Sequence, residues 1–141
     1  MKKTTRKKPS EDASGPTQLL RGLFKSFARL AERAAEDRPL LRGLRIAHDP
    51  AAHRFVAAHA GSYVEFVLAD PGGGEPPRGE VECRRMDSSG ATQAATIARF
   101  QFDTAGIITE STVPELAGQR IDQAPAAWSV VAAVLWINLH A

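Results

Sequence analysis

The final eighteen residues, 124–141, carry no charged side chain, and no other stretch of the chain restricts the fold so much. A bilayer-spanning helix needs about 20 consecutive apolar residues. Here Pro125, Ser129, Asn138 and His140 confine the uninterrupted apolar run to residues 130–137. The segment is therefore expected to be a helix buried within the protein itself. On a helical wheel Ala127, Val130, Val131, Val134, Leu135, Ile137 and Leu139 cover most of the circumference, leaving a narrow stripe of Ser129, Ala133, Trp136 and His140.

A second helix is written near the other end. From Pro16, a common first-turn residue, Leu19, Leu20, Leu23, Phe24, Phe27, Leu30, Ala31 and Ala34 fall within one arc of about 140°. Its polar side carries Arg21, Lys25, Arg29 and Arg33 at successive i,i+4 steps, with Glu32 and Glu36 relieving the repulsion only toward the C-terminal end. Pro39 bounds the helix. Residues 1–15 mix Lys, Thr, Ser, Pro and Gly and lack the apolar residues that would offset their ordering entropy, which predicts a disordered basic tail.

Between the helices the apolar period becomes two. Val64, Phe66 and Leu68 alternate with Tyr63, Glu65 and Val67; Val81 and Cys83 with Glu80, Glu82 and Arg84; Ala98, Phe100 and Phe102 with Arg99 and Gln101. A fourth strand is predicted over 107–113, after a turn at 103–106 and before Pro114. Residues 44–60 have two readings. Asp49 and Pro50 either cap an alanine-rich helix ending near Gly61 or form the turn of a hairpin joining 44–47 to 54–58, and propensity favours the helix. The Gly- and Pro-rich stretch 70–79 should be a hairpin tip. The expected fold is of the α+β class. An antiparallel meander of four or more strands packs on the N-terminal amphipathic helix and the C-terminal apolar helix, as a single domain over 16–141.

Charge is distributed unevenly along this order. Residues 1–14 have a net charge of +3, residues 15–45 of +4 and residues 46–141 of −5. The single cysteine, Cys83, excludes an internal disulfide, and the first twenty residues lack the apolar core of a secretory signal, so a cytoplasmic protein without a membrane span is expected.

Residues able to carry chemistry are few. His48, His53, His59 and His140 lack the three- or four-residue spacing of a helical zinc pair and read as surface or structural histidines, so no metal is expected. Cys83 falls on the inward face of its strand, where a thiol is inert. Glu80, Glu82 and Arg84 share the outward face and read as a solvated charge ladder rather than half of an acid-base site. The triple glycine at 72–74 leads into Glu75, Pro76 and Pro77 instead of the helix N-terminus a phosphate cradle requires.

The run STVPELAGQRI, residues 111–121, resembles the strand, loop and helix start of small N-acetyltransferases, and HDPAAHRFVAAHAG resembles that family's opening hairpin. The resemblance implies an acetyl-CoA site with Gly118, Gln119 and Arg120 at the coenzyme loop. Arg120 stands where the family has a second glycine, and Asp122 sets an anion beside the pyrophosphate position. A second stretch, ARFQFDTAGIITE, is similar to a late hairpin of polyketide-cyclase-like folds.

Taken together, the residues point first to a non-enzymatic binding or interaction domain that needs no cofactor. Its contact residues are expected to be Arg21, Lys25, Arg29, Arg33 and Trp136, with a protein partner, and a homodimer is allowed. The acetyl-CoA-binding domain is the alternative. A third reading gives the basic tail a weak, non-specific anionic partner such as nucleic acid, held by counterion release.

Overall fold

A computed structural model describes residues 14–37, 43–69, 75–87 and 92–140 of the chain. Residues 1–13 of the expected basic tail and the triple glycine lie outside the described residues, while Ser14 and Gly15, expected in the tail, belong to a helix. Helix α1 spans Ser14–Asp37, beginning two residues before the expected start, and helix α2 spans Ala124–Leu139. Between them run β1 (Arg45–Asp49), β2 (Arg54–His59), β3 (Ser62–Ala69), β4 (Gly79–Met86), β5 (Thr92–Phe102) and β6 (Ile108–Ser111). The six form one sheet in sequence order, every neighbour antiparallel. This is the α+β meander with two helices that the alternating pattern predicts, two strands larger than its minimum.

The additional strands correct the helical reading of residues 44–60. Those residues fold as the β1–β2 hairpin, turned by a short 3-10 segment at Pro50–Ala52. Alanine-rich composition favours helix by tenths of a kcal/mol per residue. Phe55 outweighs that preference, because as a strand residue it stacks on Phe66 of β3 at 4.6 Å with an interplanar angle of 7°. Asp49 still acts as a cap, its carboxylate accepting from the Ala52 amide at 3.4 Å, but the segment it caps is a single turn.

One sheet face is apolar and lies under both helices. Phe55, Ala57, Val64, Phe66, Val81, Cys83, Ala98 and Phe100 are buried there against Leu20, Phe24, Phe27 and Ala31 of α1 and Ala127, Val130, Val131, Val134 and Leu135 of α2. Phe27 is the hub, with edge contacts to Phe55 at 5.3 Å and to Phe66 and Phe100 at 6.1 Å each. Helix α2 crosses β2, β3 and β5, while α1 lies toward β1 and alongside α2. A polar link fixes the far end of α2. The Arg85 guanidinium donates to Asn138 Oδ1 at 2.7 Å, and the Asn138 amide donates to the buried Ser62 hydroxyl.

Bulges shape the sheet. Cys83 pairs with Ala98 but Arg84 with Thr96, which leaves Ile97 as an extra residue packed against the core. Gly79 lies opposite Phe102, whose buried ring occupies the space a Cβ at 79 would need. No helix among the described residues is long and apolar enough to cross a membrane.

Candidate functional site

The amphipathic pattern of α1 turns Leu20, Phe24, Phe27 and Ala31 into the core, so the opposite face must be wet. On that face Lys25, Arg29 and Arg33 are exposed and Arg21 is half-buried. No carboxylate among the described residues is ion-paired with Lys25, Arg29 or Arg33. Four other described arginines do reach a carboxylate, whereas the exposed Arg45 and Arg99 have no ion pair among the described residues and Arg85 bonds Asn138. Arg54 bonds Glu65 at 2.5 Å, Arg84 bonds Glu82 at 2.5 Å, Arg120 bonds Asp122 at 3.2 Å, and Arg78 lies 3.7 Å from Glu110.

The outer sheet face is thereby neutralised from within. Glu65 is only 5% exposed although it points away from the core, and Arg54, diagonal to it on β2, keeps it compensated. Glu82 is engaged by Arg84, and Glu80 accepts from the Gln101 amide at 3.2 Å. These contacts make the Glu80, Glu82 and Arg84 row a ladder of satisfied charges. A shallow groove of about 230 Å³ beside it, lined by Arg99, Gln101, Glu110, Ser111 and Thr112 among others, mixes both signs.

The β1–β2 hairpin adds to the cationic face of α1 in a way the sequence pattern did not reveal. A cleft of about 180 Å³ opens between them, lined by Arg21, Gly22, Phe24, Lys25, His48, Pro50 and His53. No carboxylate is among the described residues that line it. Phe24 is buried and gives the cleft an apolar wall. His53 is held on both sides, its amide donating to the Pro50 carbonyl at 3.2 Å and its carbonyl accepting from Leu68 at 2.9 Å. That clamp places it in the left-handed region, at φ +51°.

The other expected contact residue, Trp136, stands on α2 with 62% of its surface exposed. Its ring stacks on His140 at 4.0 Å, and no hydrogen bond or ring contact joins it to the cationic row among the described residues. Leu139 beside it is 52% exposed, so this end of α2 presents apolar surface.

The loop resembling a coenzyme site is internally bonded. The Gly118 amide donates to the Ile108 carbonyl at 2.8 Å and the Gln119 amide to Leu116 at 3.2 Å, while the Gln119 side chain donates to the Glu115 carbonyl at 3.1 Å. Arg120 donates to Asp122 and to the Ala105 carbonyl, and the Asp122 hydrogen bond and charge raise its already high pKa further. Helix α2 follows without a side-chain cap at Gln123.

Cys83 is fully buried, and burial, with a smaller contribution from the Glu82 charge, pushes its thiol pKa far up. No cluster of three or more potential metal ligands occurs among the described residues. Comparison of the chain with known protein families, with curated proteins and with solved structures finds no match.

Proposed function

We propose that the protein is a non-enzymatic interaction domain that docks an acidic protein surface on the cationic face of α1. The observation that carries this reading is the exposed row of Lys25, Arg29 and Arg33, one helical turn apart on a single face of α1. Among the described residues Arg54, Arg78, Arg84 and Arg120 each reach a carboxylate and the unpaired, exposed Arg45 and Arg99 stand singly, whereas Lys25, Arg29 and Arg33 form a continuous exposed row without one. A row of like charges at i,i+4 spacing disfavours its own helix by tenths of a kcal/mol per pair. An acidic partner would relieve that repulsion on docking and would be steered to it at long range. Trp136, exposed on the neighbouring helix, offers an aromatic anchor for the same partner.

The test is the binding of a fluorescent polyglutamate peptide to the full chain, followed by anisotropy at low and high salt. Binding should weaken as salt rises, and the R29E/R33E double substitution should weaken it by roughly five- to tenfold at low salt. Equal binding by the parent and the double variant would overturn the proposal. Loss of binding only on removal of residues 1–14 would overturn it as well and assign the anionic partner to the tail.

A further inference from the structure

Two residues around the α1–hairpin cleft depart from what the fold alone favours. Gly22 lies in the interior of a 24-residue helix, where glycine is destabilising by roughly 0.5–1 kcal/mol relative to alanine. Neither of the usual reasons for glycine applies to it. Its φ is not positive, and a Cβ built there would meet nothing within 4 Å. Gly22 is exposed and lines the cleft, so its missing side chain leaves that stretch of the wall open. His53, on the hairpin side, takes a left-handed conformation that glycine adopts more readily, and it lines the same space.

The donors meeting there have a definite chemistry. The Arg21 guanidinium and the Lys25 ammonium bring fixed positive charge, and each imidazole of His48 and His53 offers a ring nitrogen that donates when protonated or in the matching tautomer. Four residues with donor side chains lining one cleft of about 180 Å³, two of them cationic, suit a ligand with several acceptor oxygens and about two negative charges, which describes a phosphomonoester better than a carboxylate. The cleft also opens onto the row that continues through Arg29 and Arg33, each one helical turn further on.

Resting on the interaction reading above, we infer that the cleft lined by Arg21, Gly22, Lys25, His48 and His53 receives the phosphoryl group of a phosphorylated side chain on the acidic partner. The acidic residues flanking that side chain then lie along Lys25, Arg29 and Arg33. Phosphorylation would convert a weak, salt-sensitive contact into an anchored one.

The experiment compares three probes by anisotropy or calorimetry on the full chain: a short acidic peptide with one central phosphoserine, the same peptide unphosphorylated, and free phosphoserine. The phosphopeptide should bind at least about tenfold tighter than its unphosphorylated form. Two substitutions should abolish that difference while retaining the folded protein: G22L, which fills the cleft from a position with open space, and H53G, which keeps the backbone conformation and removes the ring. R29E/R33E should weaken both peptides alike. Equal affinity for the two peptides would overturn the inference, as would a phosphate preference that survives in both G22L and H53G. Free phosphoserine binding as tightly as the phosphopeptide would overturn the assignment to a partner's side chain and make the cleft a small-molecule site. If the unphosphorylated peptide binds without salt dependence while free phosphoserine still saturates the cleft, the interaction reading fails and the phosphate site stands.

Discussion

Cys83 separates residue identity from reactivity. Its sulfur lies on the core face of β4, where burial pushes the thiol pKa well above its ordinary 9.0. In the unfolded chain the thiol ionises near that ordinary value, so unfolding releases a proton at high pH. The contribution of this group to stability is complete below about pH 9 and falls by about 1.4 kcal/mol per pH unit above it. Denaturant unfolding of the parent and of C83A should show this slope in the parent only, and iodoacetamide should label Cys83 only after unfolding. Labelling of the native protein at neutral pH would contradict the buried placement. The inward position was legible from the alternation of Val81 and Cys83 with Glu80, Glu82 and Arg84. Glu65 was not read so fully, since alternation puts it on the wet face but cannot disclose that Arg54 lets it be nearly buried there.

At the scale of elements, both helices and the central strands follow from periodicity, whereas the β1–β2 hairpin follows from tertiary contact. Residues 44–60 contain six alanines, and local propensity points to helix. The strand form prevails because Phe55 and Ala57 complete the layer that Phe27 and Phe66 require. The same hairpin explains why the cleft was hidden while the α1 row was not. Arg21, Lys25, Arg29 and Arg33 share one face of one helix, but His48 and His53 join them only once the chain has folded back. Docking of α2 has its own signature in the link from Asn138 to Ser62 and Arg85. N138A should destabilise the protein by about 1–2 kcal/mol, and in a double-mutant cycle with S62A the two losses should be less than additive. Additive losses in denaturant unfolding would mean that the link does not couple α2 to the sheet.

On the scale of the whole molecule, the uneven charge of the sequence becomes a spatial division. Helix α1 gathers Arg21, Lys25, Arg29 and Arg33 on one side with Glu32, Glu36 and Asp37 toward its C-terminal end, and the negative segment 46–141 supplies most of the sheet, where Arg54, Arg78, Arg84 and Arg120 are each beside a carboxylate. Such a division leaves one cationic surface able to attract a partner over about 8–10 Å at physiological salt. The basic face of α1, with the hairpin cleft at its N-terminal half, is the centre of this account. Its most direct test is an amide chemical-shift map of the ¹⁵N-labelled full chain titrated with an acidic phosphoserine peptide. The account predicts shifts concentrated at residues 21–33 and 48–53. Shifts confined to residues 1–13, to the loop at 117–123 or to the outer face of β4 and β5 would contradict it.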